Sequence, residues 1–170
     1  MTEPRFTACA GALGALAIGL AATIAVPLRP LLVWNASASA PIGLYAVAAP
    51  DQIETGDMVI ARLPAPMREF AAQRHYLPAN VPLVKRVIGE PGDTICAIGT
   101  QIFVNGRRIA ERLVTDGAGR AMPWWSGCAT LRQGALFLLM AGSPASFDGR
   151  YFGPTESRDI IGKANLLWAR

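Results

Sequence analysis

Three segments carry residue types from which a nucleophile and its base could be built. The first is Ser37-Ala38-Ser39-Ala40-Pro41-Ile42-Gly43-Leu44-Tyr45. Serines among small residues, ended by proline and glycine, make an ordinary linker turn, but such a loop also leaves a hydroxyl open to an approaching chain. The second is Pro82-Leu83-Val84-Lys85-Arg86-Val87-Ile88-Gly89-Glu90-Pro91-Gly92-Asp93. On a strand alternate residues share a face, so Leu83, Lys85 and Val87 point one way and Val84, Arg86 and Ile88 the other. Either face sets one cation among apolar neighbours. If the Lys85 face is the buried one, desolvation disfavours the ammonium and lowers its pKa. A neutral lysine accepts a proton from a serine hydroxyl, which an arginine cannot do. Taken alone, the same lysine reads first as a long side chain snorkelling out of a half-buried strand. The third segment, Ser146-Phe147-Asp148-Gly149-Arg150-Tyr151-Phe152-Gly153-Pro154, holds a carboxylate and a guanidinium two residues apart. They can brace a loop, or hold a nearby lysine in a hydrogen-bonded charge network.

The remaining composition removes competing chemistries. The only histidine is His75, in a polar stretch, which disfavours a Ser-His-Asp triad and leaves it a surface residue. Three cysteines are present, none at ligand spacing, so no metal site and no cofactor are expected. Cys9 lies in an apolar run; Cys96 and Cys128 remain as either a disulfide pair in an oxidising compartment or two buried thiols. A net charge of +4 is scattered, with one Arg107-Arg108 doublet and no basic run, which excludes a nucleic-acid groove in favour of a solvated surface.

The elements that must position these residues follow from patterning. From Thr7 to Val26 the chain runs twenty residues without a charge. At about 1.5 Å per residue this reaches across a hydrocarbon layer of roughly 30 Å, and fits a span better than a signal-peptide core of about 7–15 residues. Residues 1–30 are expected to be a membrane anchor, with Pro27 and Pro30 breaking its helix and Trp34 at the interface. Glu3 and Arg5 on one flank and Arg29 on the other barely set its orientation; export of the larger C-terminal part is the default. Beyond it, residues 31–170 read as short strands at 44–48, 58–62, 82–89, 94–98, 101–104, 134–141 and 163–169. Asn105-Gly106 followed by RRIA signals a tight hairpin. One helix is expected, over 66–76. Seventeen glycines and thirteen prolines suit this turn density. The fold class is mainly β, one domain after one N-terminal helix.

Together the three segments resemble the signal peptidase I family, and more closely its conjugative-transfer branch of TraF-type pilin-processing peptidases. The likeness covers most of residues 35–168. It rests on Ser-x-Pro-x-Gly-Leu-Tyr, then Lys-Arg-Val-Ile-Gly-x-Pro-Gly-Asp, then Ser-Phe-Asp-x-Arg-Tyr-Phe-Gly-Pro, in that order. The resemblance implies a signal-peptidase-like antiparallel β-sheet domain, with Ser39 as nucleophile, Lys85 as general base and Asp148 as the acidic member of the expected catalytic set. Ser37 matches an oxyanion-hole position; Ser146 and Arg150 match supports around the lysine. Gly56-Asp57 matches a family segment but reads as a turn. Three departures stand out. Ala40 replaces a methionine and Pro41 comes one residue sooner, as in the conjugative branch. Gly142-Ser143-Pro144 replaces Gly-Asp-Asn, which opens the question of its bracing role. Gly149 replaces a common serine, with little chemical effect expected.

Several partners and places follow from the resemblance. The substrate would be an exported pilin or a signal-peptide-bearing precursor, laid extended against a strand edge with small residues near the cut. The setting would be a lipid bilayer, single pass in the inner membrane, with the catalytic domain on the periplasmic side. A general signal peptidase is one rival, and a non-catalytic membrane component of a conjugation or secretion channel is another. A repressor autoprotease is disfavoured because no DNA-binding helix pair precedes the domain.

Overall fold

The computed structural model describes residues 4–25 and 30–170, in two units, Met1–Pro30 and Leu31–Arg170. In the first, the expected helix is present as α1, Pro4–Ala25. Among the described residues, no helix is long and apolar enough to cross a membrane. The expected spanning segment is therefore not confirmed. Glu3, Val26, Pro27 and Arg29, on which the flanking expectations fell, lie outside the described residues.

The second unit is mainly β, as the patterning predicts. Its strands are β1 (Leu32–Asn35), β2 (Gly43–Ala48), β3 (Met58–Ala61), β4 (Leu83–Gly89), β5 (Thr94–Ile98), β6 (Gln101–Val104), β7 (Arg107–Glu111), β8 (Gly127–Thr130), β9 (Ala135–Leu139), β10 (Thr155–Glu156) and β11 (Ile160–Ala169). They form a seven-stranded sheet in the order β1-β2-β11-β3-β4-β9-β10 and a four-stranded sheet in the order β7-β6-β5-β8, with antiparallel pairing throughout. The expected hairpin closes between β6 and β7, with Asn105 and Gly106 both at positive φ, 50° and 77°. The second helix, α2, runs Ala65–Gln73 and ends where His75, exposed, turns left-handed at φ 59°.

Three strands and one α-helix were not foreseen. Strand β1 is four residues long, and β8 is exposed at every position, so neither shows an apolar alternation. Strand β10 has two residues, and α3 is a single turn, Gly149–Phe152. What fixes β8 is covalent: Cys96 on β5 and Cys128 on β8 face each other in register and are joined by a disulfide. Of the two readings open for these cysteines, the bonded pair is the one realised.

Strand β4 is interior to the larger sheet, between β3 and β9. Three apolar clusters meet around it: one with Tyr45, Ile60 and Val84, one with Val59, Val87 and Leu138, and one that joins Phe137 and Leu139 of β9 to Ile95 and Ile102 of the smaller sheet. Strand β9 is buried at all five positions because it serves cores on both of its faces. Lys85, in the middle of β4, thus sits between two paired strands and is 3% exposed.

Candidate active site

The serine loop is held from below by one side chain. Asn35, buried at the end of β1, donates through Nδ2 to the carbonyls of Ser37, Ala40 and Pro41 at 3.0, 3.2 and 3.0 Å, and its Oδ1 accepts from the Ser37 amide at 3.1 Å. The Tyr45 hydroxyl donates to the Pro41 carbonyl at 2.8 Å from the far end of the loop. These bonds fix a turn whose own backbone makes few, and leave the side chains of Ser37 and Ser39 facing outward, exposed and half-buried. Their hydroxyl oxygens are 3.0 Å apart, and the Ser39 amide points to Ser37 Oγ at 3.4 Å. Ala40 turns inward and packs in the cluster of Tyr45, Ile60 and Val84, against which Met140 also lies. A small residue fits there because the space is already filled from other strands.

Lys85 is 3% exposed, and Arg86, next along the strand, is exposed. The buried face of β4 is thus the lysine face. The Lys85 Nζ donates to Ser39 Oγ at 2.8 Å and to Ser146 Oγ at 2.9 Å. Neither partner is an anion, so burial dominates and lowers the lysine pKa to about 8; the charge of Asp148 opposes that shift and the charge of Arg150 adds to it. Once the amine is neutral, the bond to Ser39 can reverse, the hydroxyl donating to the nitrogen lone pair. That is the first half of a proton transfer.

The third segment sits behind the lysine. Asp148 is wholly buried and caps α3: its carboxylate accepts from the Arg150 amide at 3.2 Å and the Met140 amide at 3.0 Å. Arg150 returns a two-pronged pair, Nε to Oδ1 and Nη2 to Oδ2, both 2.8 Å. The rest of the guanidinium goes to main-chain carbonyls: Ser143 at 2.7 Å, Met140 at 3.0 Å, and Pro144 and Glu111 at 3.3 Å. The bracing left in question at Gly142-Ser143-Pro144 is therefore supplied by backbone, which any side chain there could support. Asp148 makes no hydrogen bond to Lys85 or Ser39; it acts on the lysine through its charge. Gly149 proves to matter: a Cβ there would stand 2.7 Å from the Leu138 carbonyl oxygen and 2.7 Å from the Phe137 ring. The serine of the usual pattern does not fit this core without movement, so the replacement, expected to have little chemical effect, has a consequence for packing.

Ser39 and Lys85 lie in the wall of a cleft of about 710 Å³, with Ser37 and Ser146 beside them. Sequence reasoning brought these four side chains and the Asp148–Arg150 pair to one place, and the structure assembles all six. It missed Asn35, whose type suits a turn but whose three carbonyl partners no pattern announces. It also missed Arg112, 1% exposed, which bonds the carbonyls of Gly99, Trp125 and Arg150 and lies 4.2 Å from the Trp124 ring. An arginine just past a strand reads as a solvated end.

A hydroxyl, a buried lysine and a brace, set in a mainly β domain in this chain order, define a class. The chain belongs to the signal peptidase, peptidase S26 family, whose model matches residues 6–169. Among its relatives, "Conjugal transfer protein TraF" of Agrobacterium fabrum is 31% identical over 144 residues, 79% of this chain and 80% of that one. "Probable conjugal transfer protein TraF" of Sinorhizobium fredii is 33% identical over 141 residues, 76% of this chain and 73% of that one. "Signal peptidase I V" of Bacillus subtilis is 34% identical over 95 residues, 50% of this chain; the match spans 56% of that protein.

Proposed function

We propose that this protein is a membrane-anchored serine endopeptidase that processes an exported pilin precursor in conjugation, with Ser39 as nucleophile and Lys85 as general base. The observation that carries the reading is the 2.8 Å contact between Ser39 Oγ and an amine that is 3% exposed and has no carboxylate in hydrogen-bond contact. Neutral Lys85 takes the hydroxyl proton as Ser39 Oγ attacks the scissile carbonyl. The oxyanion is met by a backbone N–H near Ser39 and by the Ser37 hydroxyl; removing one such donor typically costs about 100- to 1000-fold. Protonated Lys85 then gives its proton to the leaving amine as the C–N bond breaks. The acyl-enzyme is released either by water, giving a linear product, or by the precursor's own amino terminus, giving a cyclic one.

Anchorage is supported by the apolar run of α1 and by exposed apolar side chains where the second unit begins and ends. Leu31, Leu32 and Trp34 lie there with Leu166, Leu167 and Trp168, and the two tryptophan rings are 5.7 Å apart. In this reading the second unit faces the periplasm. Mass spectrometry of the pilin matured with this chain present tests the whole. A product one water lighter than the linear processed peptide means cyclisation; a linear product means hydrolysis. Ser39→Ala and Lys85→Ala are each expected to lower processing by more than about 1000-fold. Intact maturation in either variant would leave only a non-catalytic channel component.

A further inference from the structure

The far wall of the cleft is built from two excursions that the strands do not hold together. One is the turn after α2 that carries Tyr76 and Leu77; the other is the loop after β7 that carries Leu113, Asp116 and Met122. A carboxylate and two arginines stitch them. Asp116 accepts from the Tyr76 hydroxyl, from Arg120 Nε at 2.8 Å, and from the amides of Ala118 and Arg120 at 3.0 and 2.9 Å. Arg74 and Arg120 close the ring, donating to the Ala121 carbonyl at 2.7 Å and the Arg74 carbonyl at 3.1 Å. With every bond of the carboxylate used internally, its charge is not offered to a ligand.

The surface these excursions present is apolar and rigid. Phe147, next in sequence to the Ser146 that touches Lys85, is fixed among four rings: Phe70, Tyr76, Tyr151 and Phe152, at centroid distances of 5.2–6.0 Å. An apolar floor already ordered loses little entropy when a side chain settles on it. The geometry points to a subsite, formed by Tyr76, Leu77, Leu113, Met122 and Phe147 and shaped by Asp116, that takes a bulky apolar side chain of the precursor near the cut. This rests on the peptidase reading and adds to it a second requirement, distinct from small residues at the scissile bond itself. Asp116 is a positioning residue here: it meets the substrate only through the wall it assembles.

The test uses the full-length chain and peptides spanning a cut site, with alanine, leucine or phenylalanine placed at each position in turn. At one position leucine or phenylalanine is expected to exceed alanine in kcat/KM by about tenfold or more, the usual yield of an apolar pocket. Asp116→Asn and Tyr76→Phe are expected to bring that ratio towards one. The ratio is internal to each variant, so a general loss of folded enzyme lowers both rates and leaves it unmoved. A wild-type chain that favours a bulky residue nowhere overturns the inference, as does a ratio that survives both substitutions. If the wild type cleaves no peptide, the peptidase reading has failed instead. Calorimetric binding of the same peptides to Ser39→Ala then decides the subsite: tighter binding of the leucine or phenylalanine peptide keeps it, and equal binding ends it.

Discussion

Lys85 and Arg150 are both almost wholly out of water, at 3% and 1% exposure, and the domain treats them in opposite ways. Arg150 is paired with a carboxylate by two bonds and has carbonyls for the rest of its fork. Lys85 meets two hydroxyls and no anion. A guanidinium cannot shed its proton inside a protein, so burying it requires full compensation. An amine can, and leaving it uncompensated is what brings its pKa near working pH. Arg112 is a third buried cation, satisfied by carbonyls and a ring without a carboxylate, and it binds the smaller sheet to the turn that carries Arg150. Carbonyl and carboxylate acceptors hold the two guanidiniums in the frame; Lys85, which meets only hydroxyls, is an amine and can give up its proton.

The largest effect should come from unpairing Arg150. In Asp148→Asn the guanidinium keeps its burial and loses its counter-charge, a change that costs about 3–5 kcal/mol in comparable pairs. Urea or thermal denaturation of the second unit would measure it. The same variant separates frame from chemistry, because the Asp148 charge raises the Lys85 pKa. In whatever folded fraction remains, the acid limb of kcat/KM should move to lower pH. Movement to higher pH would mean that Asp148 works on Lys85 mainly through position, and would break the comparison.

Lys85 itself should show the cost of being unpaired. Its pKa is about 8 in the folded chain and about 10.4 when unfolded. Between those values the unfolded chain holds the proton and the folded chain does not, so stability rises with pH across that window. Below about 8 the penalty is constant, and from a shift of this size it is about 3 kcal/mol. Lys85→Met is therefore expected to be inactive yet more stable than the parent at pH 7, with the difference vanishing above about pH 10.5. Activity should rise about tenfold per pH unit up to about 8 and then level. A Lys85→Met protein less stable than the parent at pH 7 would show that the two hydroxyl bonds outweigh the desolvation.

How much of this was legible in the sequence depends on what each residue's role requires. Alternation along β4 offered two faces, each with one cation, and could not say which was buried; that is set by β3 and β9, which are remote in sequence. The hairpin at Asn105-Gly106 was legible because positive φ is a local demand. Strand β8 was not, because an exposed edge held by Cys96–Cys128 and ladder bonds has no reason to alternate. Ser39, Lys85 and the Asp148–Arg150 pair were reached through long motifs that keep their order. Asn35, Arg112 and Asp116 were missed because residue type does not name a partner: Asn35 bonds carbonyls a few residues on, Arg112 bonds distant carbonyls, and Asp116 joins nearby amides to the remote Tyr76.

The smallest expected effect sharpens the contrast between frame and lysine most finely. Gly149 lies between Asp148 and Arg150, and a Cβ there meets the Leu138 carbonyl and the Phe137 ring at 2.7 Å. The carbonyl belongs to a strand buried at every position and cannot swing aside, so Gly149→Ala should cost about 1–3 kcal/mol, the usual range for overpacking. Relief would come most easily from the ring, so Gly149→Ala combined with Phe137→Leu should recover part of the loss, a coupling readable in a double-mutant cycle. Neither change alters any charge near Lys85. If the frame acts on the lysine only by holding Ser146 in place, both variants lower kcat while the acid limb stays near pH 8. A shifted limb would instead mean that the Asp148–Arg150 pair moves as a body, and that its distance from the amine is as much a part of the base as its burial.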